Sequence, residues 1–303
     1  MRRILSLALA FLASCLLPSC GGAGGGGGGG GAPTEITFVH VATAANRFVG
    51  GGGSLSWTEI DHAAVNLNPA AKLIVTPWRT GGSAANPSPV TVTYDPLSGR
   101  WSIFNDSVIL LPIGAAFTVT VASDAFVHVS TLGGGINAAT SEIAHPLLDN
   151  QPNAVFFITR NSNPIGVPNV GGLVQMSFGT IYYPPVGALP GRWAIQSEDA
   201  TFPIVDMAWN VLVRSNVSPA VRHTALPANT GPGAGIGLFA SETQTIFLNS
   251  PLGMHILHVR LFPGMSVPLL TPPGAVAGGV LMNVFHQDGS AVPIGEQFLV
   301  WRP

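Results

Sequence analysis

The chain is poor in charge and in lysine, and each shortage excludes a class of protein. Asp, Glu, Lys and Arg make up 9% of the 303 residues, against roughly 25% in a typical soluble protein. With 47% hydrophobic residues, this excludes a disordered chain, which needs high charge and few apolar side chains. Lys72 is the only lysine. We therefore expect neither a surface that binds nucleic acid nor a polybasic segment that binds membranes.

Cysteine is almost absent as well. Cys15 and Cys20 are the only two, and both fall near the start of the chain. The remainder therefore has no disulfide, no thiol nucleophile and no Cys–His set for zinc. His255 and His258 stand three residues apart, which in a strand places them on opposite faces. We therefore predict no metal site and no cofactor.

The first residues predict export and a lipid anchor. Two arginines precede the apolar run Ile4–Leu17, which is too short to cross a bilayer as a helix. It ends in Leu17-Pro-Ser-Cys20, which resembles a bacterial lipobox. That resemblance implies that 1–20 is a lipoprotein signal peptide and that Cys20 carries the lipid, such as palmitate. Cys15 also fits the pattern but would truncate the apolar run, and ordinary cleavage or retention is the remaining alternative.

A glycine-rich stretch over 21–35 follows. Glycine has no side chain to bury and loses the most entropy on ordering, so this stretch predicts a flexible tether. The alternative is that this stretch is a low-complexity segment that has no function. A lipid, a tether and then globular mass predict a lipid-anchored protein of the bacterial cell envelope, at the outer membrane or the cell surface.

Three blocks of the remaining chain repeat one pattern. Phe38-Val-His-Val-Ala-Thr43 opens the first block and Phe126-Val-His-Val-Ser-Thr131 the second, while Gly99-Arg-Trp-Ser-Ile103 near one close matches Gly191-Arg-Trp-Ala-Ile195 near the next. A third, eroded copy begins near Val221. A period of about ninety residues suits a small domain rather than a solenoid repeat. We therefore predict three modules, at 36–122, 124–214 and 219–303.

The local patterns are those of strands. Val90-Thr-Val-Thr-Tyr94 alternates, Asp95–Gly99 has turn composition, and Arg100-Trp-Ser-Ile-Phe104 returns, which predicts a hairpin. No long amphipathic helix is evident. We expect an all-β protein of three tandem antiparallel β-sandwich or β-barrel-like modules after a disordered N-terminal tether.

The modules resemble an uncharacterised family of bacterial exported domains. The resemblance rests on the opening F-V-H-x-A-T, the closing R-W-x-I-F-N and the final P-x-G-x-x-F. Module 2 departs from the pattern at Gln196-Ser-Glu-Asp199, and module 3 lacks the tryptophan of R-W. The resemblance implies a shared fold and an exported setting, and it supplies no reaction.

Repeated histidines and glutamates are the sharpest candidates for function. His40, His128 and His223 each stand two residues after an apolar residue on one strand face, so a buried imidazole that fixes strand register competes with a ligand or catalytic role. Each of two Glu–His pairs, three residues apart, could shuttle protons or could hydrogen-bond a turn. The possible ligand or polar site therefore comprises His40, Glu59, His62, His128, Glu142 and His145.

Aromatic residues are the next candidates. Trp101 and Trp193 follow Gly-Arg after a turn and could pack in a core or stack on sugars. Trp57 and Trp78 lie in less regular segments, so we expect them to be exposed. The paired carboxylates Glu198-Asp199 are not repeated, which favours a solvated loop over a glycosidase pair.

These observations favour a non-enzymatic array for structure, adhesion or binding, attached to the membrane through its lipid. An envelope glycan or a protein is its possible ligand. The alternative is an exported enzyme that acts on the envelope or on carbohydrate through a Glu–His pair. A carrier of small ligands is a third hypothesis, and it would require a large apolar cavity.

Overall fold

The computed structural model describes most of the chain after the tether. The described residues are 34–50, 55–79, 83–106, 109–131, 134–135, 139–167, 177–197, 205–215, 220–227, 229, 235–237, 254–261, 273–278, 281–286 and 291–303. These residues form 19 strands and no helix, so the prediction of an all-β chain is confirmed.

The strands follow the order of the three predicted modules. Module 1 contains β1 (Glu35–Val41), β2 (Arg47–Val49), β3 (Ser56–Ile60), β4 (Leu73–Arg79), β5 (Val90–Asp95), β6 (Arg100–Asn105) and β7 (Ala116–Ala122). Module 2 contains β8 (Phe126–Val129), β9 (Thr140–Ile143), β10 (Phe156–Asn161), β11 (Phe178–Tyr183), β12 (Arg192–Ser197) and β13 (Ala208–Val213). Module 3 contains β14 (Ala220–Thr224), β15 (Gly235–Gly237), β16 (His255–Leu261), β17 (Pro273–Gly278), β18 (Leu281–His286) and β19 (Gln297–Trp301).

Each module contributes two antiparallel half-sheets. The first half-sheet joins its first, last and middle strands, as β1-β7-β4, β8-β13-β10 and β14-β19-β16. The second half-sheet contains a hairpin and one further strand, as β3-β6-β5, β9-β12-β11 and β15-β18-β17. Module 1 adds β2 at the outer edge of its second half-sheet. The sequence repeat is thus also a repeat of strand pairing.

The three complete sheets cross the module boundaries. The first half-sheet of module 1 pairs with the second half-sheet of module 3. The first half-sheet of module 2 pairs with the second half-sheet of module 1, and the first half-sheet of module 3 pairs with the second half-sheet of module 2. Each junction is parallel, between β4 and β17, β10 and β5, or β16 and β11. No module therefore holds a complete sheet of its own, and the pairings close into a ring.

One of the three hydrophobic cores lies within a single module, and the other two cross module boundaries. One core lies within module 1 around Trp101 and Phe117. A second combines Trp193 and Trp209 of module 2 with Trp301 of module 3. The third core belongs to module 3 but also contains Trp78 of module 1. Trp78 is 3% exposed, so the expectation that it lies on the surface is wrong.

The hairpin predicted over 90–104 is present, and its turn depends on Gly99. Asp95 accepts backbone hydrogen bonds from Leu97 and Ser98 through its carboxylate, as turn-forming aspartates do. Gly99 has a φ of +67°, and a Cβ there would lie 2.4 Å from Cδ2 of Leu67. Its carbonyl accepts a hydrogen bond from the backbone N–H of Leu67 at 2.7 Å, which ties the hairpin to the loop before β4.

Gly99→Ala should destabilise the protein by about the conformational penalty of the left-handed backbone, about 1–2 kcal/mol. The added Cβ meets Cδ2 of Leu67, which ends a flexible side chain that is 81% exposed and can rotate away. Gly166 is the matched control, since it also has positive φ (+77°) but nothing within 4 Å of the added Cβ. Urea denaturation should give similar midpoints for the two variants, both below that of the unaltered protein. A midpoint for Gly99→Ala far below that for Gly166→Ala would contradict this account.

Candidate functional site

The opening motif of each module, F-V-H in modules 1 and 2 and V-R-H in module 3, places its histidine at an equivalent position on an edge strand. His40 pairs with Phe117, His128 with Trp209 and His223 with Phe298. His40 is 8% exposed and His223 is fully buried, while His128 is half-buried. The motif therefore places an imidazole beside an aromatic residue of the module's last strand, three times over.

His40 is held as a neutral hydrogen-bond donor. Nε2 of His40 lies 2.8 Å from Oγ1 of Thr58, and that hydroxyl donates to Oδ1 of Asn46 at 3.0 Å. Because the hydroxyl has one proton, it accepts from His40, so Nε2 carries the imidazole proton. Burial lowers the pKa of His40 to about 4. The side chain ties β1 to β3 and is poorly suited to take up a proton near pH 7.

His128 repeats this arrangement in module 2. Its Nε2 lies 2.8 Å from Oγ of Ser141 on β9, the counterpart of Thr58. Burial lowers the pKa of His128 to about 4. Two modules thus use the same imidazole–hydroxyl contact to join their two half-sheets.

His62 and His145 have a second repeated role, in the turn after β3 and β9. His62 stacks on Phe38 with ring centroids 3.8 Å apart, and His145 stacks on Phe126 at 3.9 Å. Nδ1 of His62 accepts a hydrogen bond from the backbone N–H of Ala64, and Nδ1 of His145 accepts from that of Leu147. Each imidazole therefore caps a turn and covers the aromatic residue that opens its module.

The structure does not join the glutamates to these histidines. Within the described residues, no hydrogen bond or ion pair links Glu59 to His62 or Glu142 to His145. Glu142 instead forms an ion pair with Arg192 at 3.4 Å. Glu59 is half-buried on β3, paired with Ser102 across the strands. The geometry needed for a Glu–His proton relay is absent from these contacts.

His255 links module 3 to module 1 in the interior. Its Nδ1 lies 3.0 Å from Oγ1 of Thr76, and its Nε2 lies 2.8 Å from Oγ1 of Thr120. Burial, with a smaller effect from the positive charge of Arg214, lowers the pKa of His255 to about 3. His258 is buried on the other face of β16, so the two side chains do not converge on a metal.

A small cavity lies where β4, β10 and β16 approach one another. Its volume is about 80 Å³ and its lining includes Thr76, Thr159, Arg160, Asp106 and His258. A water molecule takes roughly 30 Å³ in the liquid, and drug-sized ligands occupy roughly 300–1,000 Å³. The cavity suits a few waters or a very small molecule, not the ligand of a carrier.

Sequence reasoning missed the ion pair beside this cavity. Arg160 and Asp106 lie 3.1 Å apart with side-chain exposures of 2% and 1%, and Thr91 hydrogen-bonds both. Removing one member of such a pair leaves a buried charge and typically costs about 3–5 kcal/mol. The sequence signal that could have revealed Arg160 is a break in the repeat. Pro77 in module 1 and His258 in module 3 occupy the positions equivalent to Arg160 in module 2.

Three aromatic side chains form a row across β2, β3 and β6. Phe48 stacks on Trp57 with centroids 5.7 Å apart, and Trp57 stacks on Phe104 at 5.0 Å. Phe48 is 38% exposed, and Trp57 and Phe104 are half-buried. Val49 and Leu55 beside the row are also exposed. We call Phe48, Trp57 and Phe104 the aromatic row.

The aromatic row is specific to module 1. Its counterparts in module 2 are Thr140 and Gln196, which pair across β9 and β12. The repeated tryptophans behave differently, since Trp101 and Trp193 are fully buried and donate their indole N–H groups to the backbone carbonyls of Asn68 and Gln151. Repeated aromatics thus stabilise the modules, while the unrepeated row faces solvent in part.

Other predicted features lie outside the described residues. They include the anchor at Cys15 or Cys20, the tether as far as residue 33, and the carboxylates Glu198-Asp199. Among the residues that the structure describes, no group of three or more His, Cys, Asp or Glu could hold a metal. No helix in that part of the chain is long and apolar enough to span a membrane.

These features define an all-β protein of repeated modules that share their sheets. Two overlapping ranges, 31–121 and 91–184, match the family model described as a domain of unknown function (DUF7452). Together they cover residues 31–184, just over half of the chain. The chain belongs to this family. No curated protein and no solved structure matches the chain significantly.

The buried histidines predict loss of stability in mild acid. His40, His128 and His255 have folded-state pKa values of about 4, 4 and 3, below the ordinary value of 6.5. As the pH falls below about 6.5, the unfolded chain takes up protons on these residues and the folded chain does not. Each histidine can then raise the unfolding equilibrium constant by up to about tenfold per pH unit.

Urea midpoints between about pH 7.5 and 5 measure this effect, above the range where most carboxylates titrate. The urea midpoint should fall as the pH falls. In His40→Gln the midpoint should depend less steeply on pH, because one of the histidines that cause this dependence has been removed. A midpoint that is constant over this range would mean that the imidazoles are solvated in the folded protein.

Proposed function

We propose that the protein is an exported, lipid-anchored binding or adhesion protein of the bacterial envelope, and not an enzyme. The observation that carries the proposal is the fate of the repeated polar residues. His40 and His128 join half-sheets, and His62 and His145 cap turns. The residues best able to perform acid–base chemistry are therefore engaged in holding the fold together.

The enzyme hypothesis requires convergent reactive groups in one open cleft. Within the described residues, the glutamate and the histidine of each pair that the enzyme would use do not contact each other. Glu142 instead forms an ion pair with Arg192. The carrier hypothesis requires a larger cavity than the one of about 80 Å³ between the modules. Both facts favour a ligand that binds at the surface.

The aromatic row is the surface that we propose for ligand binding, and a glycan is the ligand that it fits. Phe48 ends the row on β2, so within the described ring contacts it stacks on one side only, against Trp57. The apolar face of a sugar ring packs on such a side chain. Glu59, half-buried two residues after Trp57 on β3, lies on the same face of the strand as Trp57 and can hydrogen-bond sugar hydroxyls.

Phe48→Ala and Trp57→Ala should weaken binding to insoluble peptidoglycan or to envelope polysaccharide by about 2- to 10-fold each. One aromatic contact contributes roughly 0.5–1.5 kcal/mol. Leu97→Ala is the control, because Leu97 is 84% exposed on a turn away from the row. Depletion of the protein from solution by the glycan gives the affinity. Binding that is unchanged in both aromatic variants, or binding to envelope protein alone, would contradict the glycan site.

The anchor is tested separately. Cys20→Ser should move the protein from the membrane fraction to the soluble fraction of the cell, because the lipid has no other attachment point under the lipobox assignment. Cys15→Ser is the matched control and should leave the protein in the membrane fraction. The reverse outcome would assign the lipid to Cys15, and failure of the unaltered protein to incorporate labelled palmitate would contradict a lipid anchor at either cysteine.

A further inference from the structure

Each module has two inner strands, and one edge of each inner strand has no partner within the module. In module 1, β4 pairs with β7 on one side and β5 pairs with β6. Their other edges pair outside the module, β4 with β17 and β5 with β10. The same holds for modules 2 and 3. An unpaired edge is a template for another strand, so the module is incomplete until two neighbours cover it.

The three junctions have the same register. Trp78 pairs with Ala275, Asn161 with Val92, and Val259 with Thr180. Trp78, Asn161 and Val259 are equivalent, because each follows the residue that pairs opposite Phe117, Trp209 or Phe298. Val92 and Thr180 are equivalent through their partners Ile103 and Ile195. Three junctions in one register indicate one pattern of backbone pairing that is used three times, with different side chains at each junction.

The junctions run head to tail and close. Module 2 pairs onto module 1, module 3 onto module 2, and module 1 onto module 3. A head-to-tail contact forms a ring when its rotation closes and a filament when it does not. Closure after three modules uses every edge of this type, so none is left to recruit a fourth module.

The ends of the modules meet at one side chain. Arg214, at the end of module 2, is 4% exposed and lies 2.6 Å from Glu35 at the start of module 1. It also lies 3.0 Å from Asp124 at the start of module 2, and its guanidinium is 5.1 Å from the ring of Trp301 at the end of module 3. The chain segments that link the modules therefore lie beside a noncovalent contact that joins all three modules.

From these observations we propose that each module carries a surface that recognises a second copy of the same module, and that the chain is a trimer of modules joined end to end. The surface consists of the free edge of the first half-sheet on one module and the free edge of the second half-sheet on the next. Buried polar contacts such as His255 with Thr76 and Thr120 add to it. Covalent linkage then sets the order of the modules and is not needed to hold them.

Cleavage of the full chain tests this proposal. A protease site inserted at 216–219, between β13 and β14, allows module 3 to be cut from modules 1 and 2. After cleavage the two pieces should co-elute at the mass of the intact chain, separate in urea, and re-form the same complex on dilution of the urea. The uncut insertion variant controls for damage by the added residues.

Pieces that elute apart at micromolar concentration would overturn the proposal. A circular permutant that begins at residue 220 and joins Pro303 to Thr34 through a short Gly-Ser segment provides a second readout. It should fold with a urea midpoint close to that of the parent, because the two joined ends both lie near Arg214. A permutant that is unfolded would show that the order of the modules is essential and would equally contradict the proposal.

Discussion

The structure depends on one constraint, which is that the inner edge of each half-sheet cannot be left unpaired, whereas the outer strands, such as β1, β8 and β14, end the sheets. Backbone N–H and C=O groups buried without partners are costly, and β4, β10 and β16 all lie in the interior. Each finds its partner in a strand of another module rather than its own. Sheet sharing, cores with tryptophans from two modules and the closed ring follow from that single requirement. The modules are repeats in sequence, and they form one body in space.

Much of the local structure could be predicted from sequence because it depends on neighbouring residues. The alternation of Val90–Tyr94 and the turn at Asp95–Gly99 specify a hairpin that is present. The repeat also indicated equivalent places for Trp101 and Trp193. The local pattern of residues does not specify which edge of a strand is paired, or which other strand pairs with it. The junction of β10 with β5 was therefore beyond prediction, and so was the burial of Trp78 in the core of module 3.

The candidate sites show the same division. Residues that the modules share, such as His40 with His128 and His62 with His145, have matching structural contacts. The features that break the repeat are found in one module or at one junction only. They are the partly exposed aromatic row and the buried ion pair of Arg160 and Asp106. Function is better sought where the modules differ, since a shared residue must first satisfy the shared fold. The pattern that draws attention in the sequence is thus mostly a pattern of architecture.

The central claim is that strands pair across module boundaries, and through-space contacts between backbone protons at one junction test it most directly. In a sample deuterated at carbon, nuclear Overhauser effects should join the amide protons of Arg160 and Asn161 to those of Thr91 and Val92. The account predicts these contacts and none between β4 and β5 in a continuous ladder. A ladder between β4 and β5, with no contact from β10 to β5, would show three separate domains and would contradict it.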